Sequence, residues 1–335
     1  MNSKKLLIII FLSTDLILLI LGFLNFRLYI NKVGLPNEYQ AVINNFSFDV
    51  KHIYKRERII EFEGKKIDKN GLVDFYLLNH QHNDTVKIKS ISAAGKFIER
   101  NVALPKKYVP IELVIMAFVT LFFFFTGIFI LLRYRNTTFS YIIHTLTISI
   151  GVMIILDWGD LITYGKVLNF IIFLLFEASI YIVPTLFLHF SFTYPVRSKE
   201  KNLFFLAPFY CATITFIIIG TIHLVKIFFF AKDIRGLYYL TFHTTISDIY
   251  LALVLILTIA KFEHSALTLS DKIYKKQIYW ALLGITFGPL VYVFLCLISR
   301  ILLGYELVSI AFMQFTIIVA PIMFLISITR NKRNY

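Results

Sequence analysis

The chain has few charged residues and few of the residues that crosslink or interrupt a fold. Of its 335 residues only 16% are charged, and there are two cysteines, two tryptophans, eight prolines and 14 glycines. Cys211 and Cys296 both lie in apolar runs, so neither a disulfide framework nor a metal site is predicted. In contrast, 58% of the residues are hydrophobic, and the 35 phenylalanines and 19 tyrosines exclude disordered, collagen-like and coiled-coil chains. With a mean hydropathy of +0.74, the composition predicts a protein whose solvent is the lipid bilayer.

The charge distribution indicates membrane topology together with one water-exposed segment. There are 34 basic and 20 acidic residues, and a net charge of +14 would suggest a nucleic-acid partner if the protein were soluble. Residues 27–107 hold 15 of the basic and nine of the acidic residues, and most of the others lie between hydrophobic stretches. This pattern is typical of the ends of membrane spans, so we expect membrane lipid as a partner and no nucleic acid.

Eight apolar stretches approach the length of about 20 residues that crosses a hydrocarbon core of about 30 Å. They are Leu6–Phe26, Ile111–Leu132, Phe139–Leu156, Val167–Thr193, Leu203–Val225, Phe242–Ala260, Ile278–Leu302 and Leu307–Ile328. The first follows two lysines, as a secretory signal does, but its length and the lack of a small-residue cleavage site favour a retained anchor. The sequence predicts a mainly α membrane protein with an eight-helix transmembrane bundle.

Lysine and arginine in short loops predict the orientation, because they stay on the cytoplasmic side. One alternating set of loops collects Lys4, Lys5, Arg133, Arg135, Arg197, Lys199, Lys201, Lys261, Lys272, Lys275, Lys276, Arg330, Lys332 and Arg333. The opposite short loops hold fewer, namely Lys166, Lys226, Lys232 and Arg235. We therefore expect a multi-pass protein of the cytoplasmic (inner) membrane with both termini in the cytoplasm.

The segment between the first two spans has the pattern of a small α+β domain. Alternating residues predict strands at Arg58–Glu63, Thr85–Ile91 and Phe97–Leu104, turns at Gly64 and Gly95, and a short helix at Gly71–Leu78. A segment of about 75 residues with strands and a helix can bury a core of its own. The predicted organisation is a first transmembrane helix (1–27), an extracytoplasmic domain (28–109), seven further spans (110–330) and a cytoplasmic tail (331–335).

Four strings in this segment resemble the second half of a bacterial PDZ domain. They are IIEFEGKKI at 59–67, DFYLL at 74–78, NDTVKI at 83–88 and AGKF at 94–97. Residues 30–57 lack the small-residue and glycine pattern of the first half. Val33, Gly34 and Leu35 are a candidate for the loop whose backbone N–H groups cap a peptide carboxylate, and the alternative is a plain linker. The resemblance implies a PDZ-like extracytoplasmic domain and a peptide ligand outside the cell.

Three membrane-interface motifs carry a second resemblance. LFLHFSFTYP at 186–195 resembles the HF-x-x-x-FP signature of multi-span sensor regions, and YKKQIYWALLG at 274–284 resembles their R-x-Q-x-x-W-x-x-x-G entry to a span. APIMFLISITRNK at 320–332 is similar to the end of their last span. The matching residues are His189, Phe190, Pro195, Lys275 in place of the family's arginine, Gln277, Trp280, Gly284, Pro321 and Arg330.

Together these features resemble the input half of ComP-type sensor histidine kinases, whose relatives are fused to SpoIIE-type phosphatases or nucleotide cyclases. The resemblance implies a sensor in a two-component system that signals as a homodimer or through a separate cytoplasmic output protein. We expect no output domain in this chain, because the sequence stops about five residues after the last motif. We also expect no enzyme activity and no cofactor, since no phosphate loop or catalytic motif is found.

Ionisable residues inside a bilayer are costly unless they face a partner or water, so each is a candidate site. Glu177 lies near the middle of the fourth span, His189 nearer its cytoplasmic end, His144 early in the third span and Asp248 in the sixth. Pro184 is expected to kink the fourth span, as is common near a pocket or hinge. These five residues are predicted to bind a ligand or couple a signal. The alternatives are hydrogen bonds to neighbouring helices and, for the two histidines, axial ligation of a haem.

Three classes of function fit a multi-span chain. A receptor module would recognise a ligand and pass helix movement to an output. An intramembrane protease needs a motif such as HExxH on a membrane helix, and the sequence has none. A transporter would show repeated halves with matching breaks, and the prolines at 184, 208, 289 and 321 do not form such a pattern. The sequence favours the receptor, followed by a small-molecule or lipid transporter and then by an inactive truncated gene product.

Overall fold

The computed structural model describes most of the chain. The described residues are 3–35, 58–67, 72–77, 80–92, 95–134, 137–156, 166–196, 204–230, 235–298 and 310–329. They form membrane-length helices and one small antiparallel sheet. The expectation of a mainly helical membrane protein is thereby confirmed.

The helices in the described ranges are numbered in chain order. They are α1 (Ser3–Tyr29), α2 (Leu72–Leu77), α3 (Pro110–Arg133), α4 (Thr138–Ile155), α5 (Lys166–Thr193), α6 (Ala207–Val225), α7 (Arg235–Thr268), α8 (Lys272–Ile285), α9 (Ile310–Ile317) and α10 (Val319–Thr329). A 3-10 turn, Phe204–Leu206, precedes α6. One π-helical segment, Lys226–Phe230, extends α6. Two such segments, Thr286–Leu290 and Val293–Ile298, extend α8.

Six helical segments in the described part of the chain are long and apolar enough to cross a membrane. They are Lys5–Arg27, Pro110–Arg133, Thr138–Ile155, Val167–Thr193, Phe204–Phe230 and Lys272–Ile298, and they correspond to predicted spans one to five and seven. The sixth predicted span lies inside α7. The eighth overlaps α9 and α10, where Phe315–Thr329 is a shorter apolar helix. The chain is thus a multi-pass membrane protein, and a total of eight crossings stays a prediction.

The centre of the bundle is formed by α4 and α5, which pack against each other and are mostly buried. Helices α6 and α7 pack on α5, and α3 and α1 pack on α4. In contrast, α1 exposes large apolar side chains such as Leu16 and Ile17 over most of its surface. In a bilayer such a surface faces lipid, which is as apolar as leucine, so the helix gains little from burying it.

A close approach between α8 and α10 depends on glycine. A Cβ atom on Gly284 would lie 2.9 Å from the Cβ of Met323 and 3.2 Å from the backbone of Ala320. Small residues let membrane helices approach at this distance, and van der Waals packing then holds them together. Gly284 and Pro321, which the motif resemblance singles out, therefore belong to one helix contact.

The sheet region contains β1 (Arg58–Phe62), β2 (Lys65–Lys66), β3 (Thr85–Ile91) and β4 (Phe97–Ala103), in the antiparallel order β2-β1-β3-β4. Gly64 (φ 77°) lies in the turn from β1 to β2, and Gly95 (φ 74°) lies between β3 and β4. Val86 and Ile88 of β3 are buried with Val73 and Leu77 of α2, whereas the intervening Lys87 is exposed. The expected strands and the short helix are confirmed, and a PDZ fold stays a prediction.

The chain enters and leaves the sheet region as a hydrogen-bonded pair of segments, 32–34 after α1 and 105–107 before α3. Gly34 N–H donates to the Pro105 carbonyl (3.0 Å), and Lys107 N–H donates to the Lys32 carbonyl (2.8 Å). Val33 forms an antiparallel bridge with Lys106 between these bonds. We call these two segments the paired exit.

Candidate functional site

A buried polar interface joins α5, α6 and α7. Its first part lies around Pro184, which has no N–H to donate to the carbonyl of Ile180. One residue along, the Tyr181 carbonyl accepts a hydrogen bond from the Thr213 hydroxyl of α6 (3.2 Å). Pro184 thus interrupts the hydrogen bonds of α5 next to the point where the backbone of α5 accepts a hydrogen bond from α6. This arrangement is common in membrane helices.

Thr185 is the centre of a network that ties all three helices together. Its hydroxyl lies 2.7 Å from the hydroxyl of Thr213 on α6 and 2.8 Å from the hydroxyl of Tyr250 on α7. Tyr250 also donates to the Phe209 carbonyl (3.1 Å). These polar groups are satisfied within the protein, so this network has the geometry of a structural contact.

The second part of the interface contains Glu177, whose side chain is only 2% exposed. Its Oε1 atom has no hydrogen-bond partner. The hydroxyl of Tyr181, one turn further along α5, is fully buried beside the Glu177 carboxylate and also has no hydrogen bond of good geometry. Asp248 of α7, which is 8% exposed, lies within electrostatic reach of Tyr181.

Two predicted site residues, Glu177 and Asp248, therefore approach the same phenol from different helices. Gly220 of α6 faces Glu177 and Tyr181, because a Cβ atom there would lie 3.7 Å from Glu177 Oε2 and 3.8 Å from the Tyr181 ring. Phe216, one turn before Gly220, stacks on Tyr181 with ring centroids 5.4 Å apart. We call Glu177, Tyr181, Asp248, Gly220 and Phe216 the acidic pocket.

His189 does not belong to the acidic pocket. It lies twelve residues beyond Glu177 on α5, about 18 Å along a helix axis. Its Nδ1 atom lies 2.6 Å from the Tyr210 hydroxyl of α6, and the proton position in this bond depends on the tautomer. His189 thus contributes a separate contact between α5 and α6.

His144 forms a second intramembrane cluster, which lies between α1 and α4. Its Nε2 atom is 3.6 Å from Asp15 Oδ2, and both side chains are almost completely buried. Phe11 packs edge-on against the imidazole with centroids 5.0 Å apart. Gly127 of α3 approaches closely, since a Cβ atom there would lie 2.4 Å from the Thr147 hydroxyl and 3.4 Å from His144 Nδ1.

The same face of α1 makes one more polar contact with α4. Asn25 Nδ2 donates to the Ile155 carbonyl (2.9 Å), and Gly22 lies against the Ile155 side chain. Two polar side chains therefore hold an otherwise lipid-exposed helix in place. The alternative of haem ligation finds no support in this geometry, because His144 and His189 contact different protein partners.

The residues of the sensor-like motifs converge at the Thr193 end of α5. Tyr194, at the family's phenylalanine position, has its hydroxyl 2.6 Å from Ser327 of α10, and Ser327 donates to the carbonyl of Gln277 on α8 (2.7 Å). Phe190 packs edge-on against Phe324 of α10 with centroids 5.0 Å apart. Three stretches that are distant in sequence are thus joined here. We call Phe190, Tyr194, Gln277, Phe324 and Ser327 the motif cluster.

The other motif residues have varied positions. Pro321 is buried, Lys275 and Trp280 are partly buried on α8, and Pro195 directly follows the motif cluster. Arg330 lies outside the described residues, as does the predicted tail 331–335.

Val33, Gly34 and Leu35 have structural roles in the paired exit. Val33 and Leu35 are buried in the core of the sheet region. The Gly34 N–H is already bonded to Pro105, so it is not free to cap a peptide carboxylate. This geometry favours a connecting segment over a carboxylate-binding loop.

Sequence reasoning missed Asp15, Asn25 and Tyr181. Asp15 and Asn25 are polar residues inside the apolar stretch Leu6–Phe26, and that position is itself a signal of a helix contact. Tyr181 gave no signal, because tyrosine is common in this chain. Among the described residues, no group of three or more histidine, cysteine, aspartate or glutamate side chains is placed to hold a metal ion.

No protein-family model, no curated protein and no solved structure matches this chain. The function is therefore argued from the site geometry and from the motif resemblance.

Proposed function

We propose that the chain is a membrane receptor module that detects an extracytoplasmic or membrane-borne ligand and passes helix movement to a cytoplasmic output. The observation that carries the proposal is the paired exit. Two backbone hydrogen bonds tie the segment that follows α1 to the segment that precedes α3, where the chain enters and leaves the sheet region. A change in the sheet region therefore acts on two membrane helices together.

The next step leads from α1 into the bundle. Helix α1 is largely exposed to lipid, and its buried polar contacts with α4 are those of Asp15 and Asn25. A helix held by few polar contacts can adopt a second position at modest cost, as signalling helices do. Movement of α1 would thereby reach α4 at the centre of the bundle.

The last step leads to the end of α10. Helix α4 packs along α5, and the motif cluster connects α5 to α8 and α10. Contiguous packed elements of this kind can carry energetic coupling between distant sites. In the ComP-type family that this chain resembles, the corresponding helix leads to the output domain.

The resemblance and the charge pattern supply the remaining parts of the proposal. The sheet region is a PDZ-like extracytoplasmic domain, and both chain termini lie in the cytoplasm. The bundle crosses the cytoplasmic membrane eight times. The output is a histidine kinase, phosphatase or cyclase acting in a homodimer or as a separate protein.

A chimera tests this proposal. Residues 1–330 are fused to the kinase half of a ComP-type sensor, and autophosphorylation is measured in membrane vesicles. Asp15→Leu is expected to change the basal rate several-fold, because it releases α1 from α4. Thr14→Val is the matched control, since Thr14 is the adjacent residue and its side chain is exposed. An unchanged rate in a folded Asp15→Leu chimera would contradict the proposal.

Transport is the second candidate function, and the π-helical segments of α8 favour it. Thr286–Leu290, which contains Pro289, and Val293–Ile298 interrupt a membrane-length helix. Broken helices near the middle of a bundle are common at transporter sites. Uptake of a solute by proteoliposomes, together with a chimera that shows no coupling, would support transport over reception.

A further inference from the structure

A group of basic residues lies where the chain passes between the membrane helices α1 and α3 and the sheet region. Residues 27–35 and 104–112 together contain four bases and one acid, Glu112. This short part of the chain therefore carries a clear excess of positive charge. We call its bases the basic collar, and they are Arg27, Lys32, Lys106 and Lys107.

The two helices fix the depth of the basic collar in the bilayer. One segment that is long and apolar enough to cross a membrane ends at Arg27, and the next begins at Pro110. The paired exit holds the intervening ends together, since the Lys107 N–H donates to the Lys32 carbonyl (2.8 Å). The basic collar thus lies at the boundary between the hydrocarbon core and water, which is the layer of the lipid headgroups.

Exposed apolar side chains accompany the exposed bases of the collar. Arg27 and Lys106 are exposed. Close to them in the chain, the large apolar side chains of Ile30, Val109 and Ile111 are 42%, 53% and 56% exposed. This combination is typical of a protein surface at a membrane interface, because the apolar groups enter the acyl region while the charges reach the headgroups.

Membrane topology does not account for these bases. Lysine and arginine residues that set the orientation gather near the cytoplasmic ends of the spans. In the proposed orientation the basic collar lies at the opposite ends of α1 and α3, where few basic residues are expected. The bases therefore need another role, and phosphate groups of lipids supply the complementary charge at the same depth.

We propose that the basic collar binds the headgroups of anionic phospholipids in the leaflet next to the sheet region. Arg27 and Lys106 contact the phosphate groups, and the neighbouring exposed apolar side chains anchor the paired exit among the upper parts of the acyl chains. This inference goes beyond the receptor proposal, because it concerns the attachment of the chain to the bilayer and not the detection of a ligand. It makes the position of the paired exit dependent on lipid composition.

The experiment measures lipid selectivity beside the basic collar in the full chain. In a Cys211→Ala/Cys296→Ala background, Asn31→Cys is labelled with a bimane fluorophore, since Asn31 is exposed and adjacent to Lys32. The protein is reconstituted in phosphatidylcholine vesicles that contain brominated phosphatidylglycerol or, for comparison, brominated phosphatidylcholine, and quenching gives the relative affinity of the two lipids. We expect phosphatidylglycerol to bind about threefold more tightly or better, because each base near an anionic surface strengthens the attraction several-fold.

Paired substitutions assign this preference to the exposed bases. Arg27→Gln/Lys106→Gln is expected to lower the affinity ratio to about one, because the two exposed charges are removed. Lys66→Gln/Lys96→Gln is the matched control, since it removes two exposed lysines from the sheet region. Lys66 lies on the opposite edge strand from β4, and Lys96 lies at the end of β4 that is far from the paired exit. The control should therefore keep the threefold ratio.

The vesicles carry the same lipids in both leaflets, so the result does not depend on the orientation of the chain. A ratio near one in the unmodified protein would overturn the proposal, and so would an unchanged ratio in Arg27→Gln/Lys106→Gln. An equal loss in the control would indicate diffuse attraction by the whole sheet region and would count against the basic collar. Loss of selectivity in inorganic phosphate, but not in sodium chloride of equal ionic strength, would identify a site for free phosphate and would also contradict lipid binding.

Discussion

The two intramembrane polar clusters both bury ionisable side chains away from water, but they combine different groups. Between α1 and α4, the acid Asp15 faces the base His144, so each group has a partner of complementary character. In the acidic pocket, Glu177 and Asp248 approach one tyrosine, and both are acids. The first cluster pairs an acid with a base and joins α1 to α4, although Asp15 Oδ2 and His144 Nδ1 have no hydrogen bond. The second cluster brings two acids near one phenol, and the Oε1 atom of Glu177 has no hydrogen bond.

The two clusters also differ in position, since one lies at the surface of the bundle and the other at its centre. Helix α1 lies at the surface of the bundle and needs polar contacts for attachment, because apolar packing in lipid provides little net driving force. Helix α5 lies at the centre and is held by apolar neighbours along most of its length. The position of α5 therefore does not depend on polar contacts in the acidic pocket.

Removal of one partner from the Asp15–His144 pair should have the largest effect. Asp15→Leu is expected to lower the free energy of unfolding by about 3 kcal/mol, because it leaves His144 buried without an acceptor. The double variant Asp15→Leu/His144→Phe should recover part of this loss, since no lone polar group remains. Unfolding in a mixed-micelle titration measures both. If the double variant were no more stable than the single one, the view of Asp15 and His144 as a pair would be wrong.

The same glycine substitution should have different effects in the two clusters. Gly127→Ala is expected to destabilise the bundle by about 2 kcal/mol, since the new Cβ atom would lie 2.4 Å from the Thr147 hydroxyl. Gly220→Ala should leave stability nearly unchanged, because its Cβ atom would be at ordinary contact distance from Glu177 and Tyr181. Thermal unfolding of the two variants side by side measures the difference. Equal losses would show that the acidic pocket is as tightly packed as the other cluster.

Neutralisation of Glu177 should raise the stability of the bundle. Glu177→Gln keeps the shape of the side chain and removes a buried charge, so we expect a gain of about 1 kcal/mol in the absence of a ligand. Glu263→Gln, on the exposed surface of α7, should produce no change. A loss of stability in Glu177→Gln would mean that the carboxylate already has a protein partner and that the two clusters are alike.

The smallest effect on stability is expected for an ion pair that is exposed to water. Lys87 and Glu99 lie on neighbouring strands of the exposed sheet and form a salt bridge, and Lys87 holds the pKa of Glu99 below its usual value. The pair therefore stabilises the sheet region above the pKa of Glu99 in the unfolded chain, and this contribution is lost as the pH falls through the lowered value. Hydrogen exchange of β3 and β4 should show a small acid-dependent loss of protection. Glu99→Gln should remove this loss, and 0.5 M salt should suppress it, because salt screens exposed charges.

Local patterns predicted much of the fold. Alternation of apolar and polar residues identified β3 and β4 almost to the residue, since the exposed Lys87 lies between the buried Val86 and Ile88. Apolar length identified six helices that can cross a membrane. The π-helical segments of α8 were not predicted, although Pro289 inside the apolar run was a signal of an irregular helix.

The sites were only partly predictable, because their composition depends on helix packing. The cost of burial marked Glu177, His144 and Asp248 individually, but it did not indicate that two of them share a tyrosine while the third faces Asp15. Glu177 and His189 lie on the same predicted span, and the structure places them in different contacts. For Val33, Gly34 and Leu35 the sequence left a carboxylate-binding loop and a plain linker open, and the structure shows this segment paired with residues 105–107.

The paired exit limits how the sheet region can move. Because the segments after α1 and before α3 are hydrogen-bonded to each other, a rotation of the sheet region acts on both segments together. Both helices pack on α4. A torque applied outside the membrane therefore reaches α4 from two sides at once, and a twist is transmitted more directly than a vertical displacement of either helix alone.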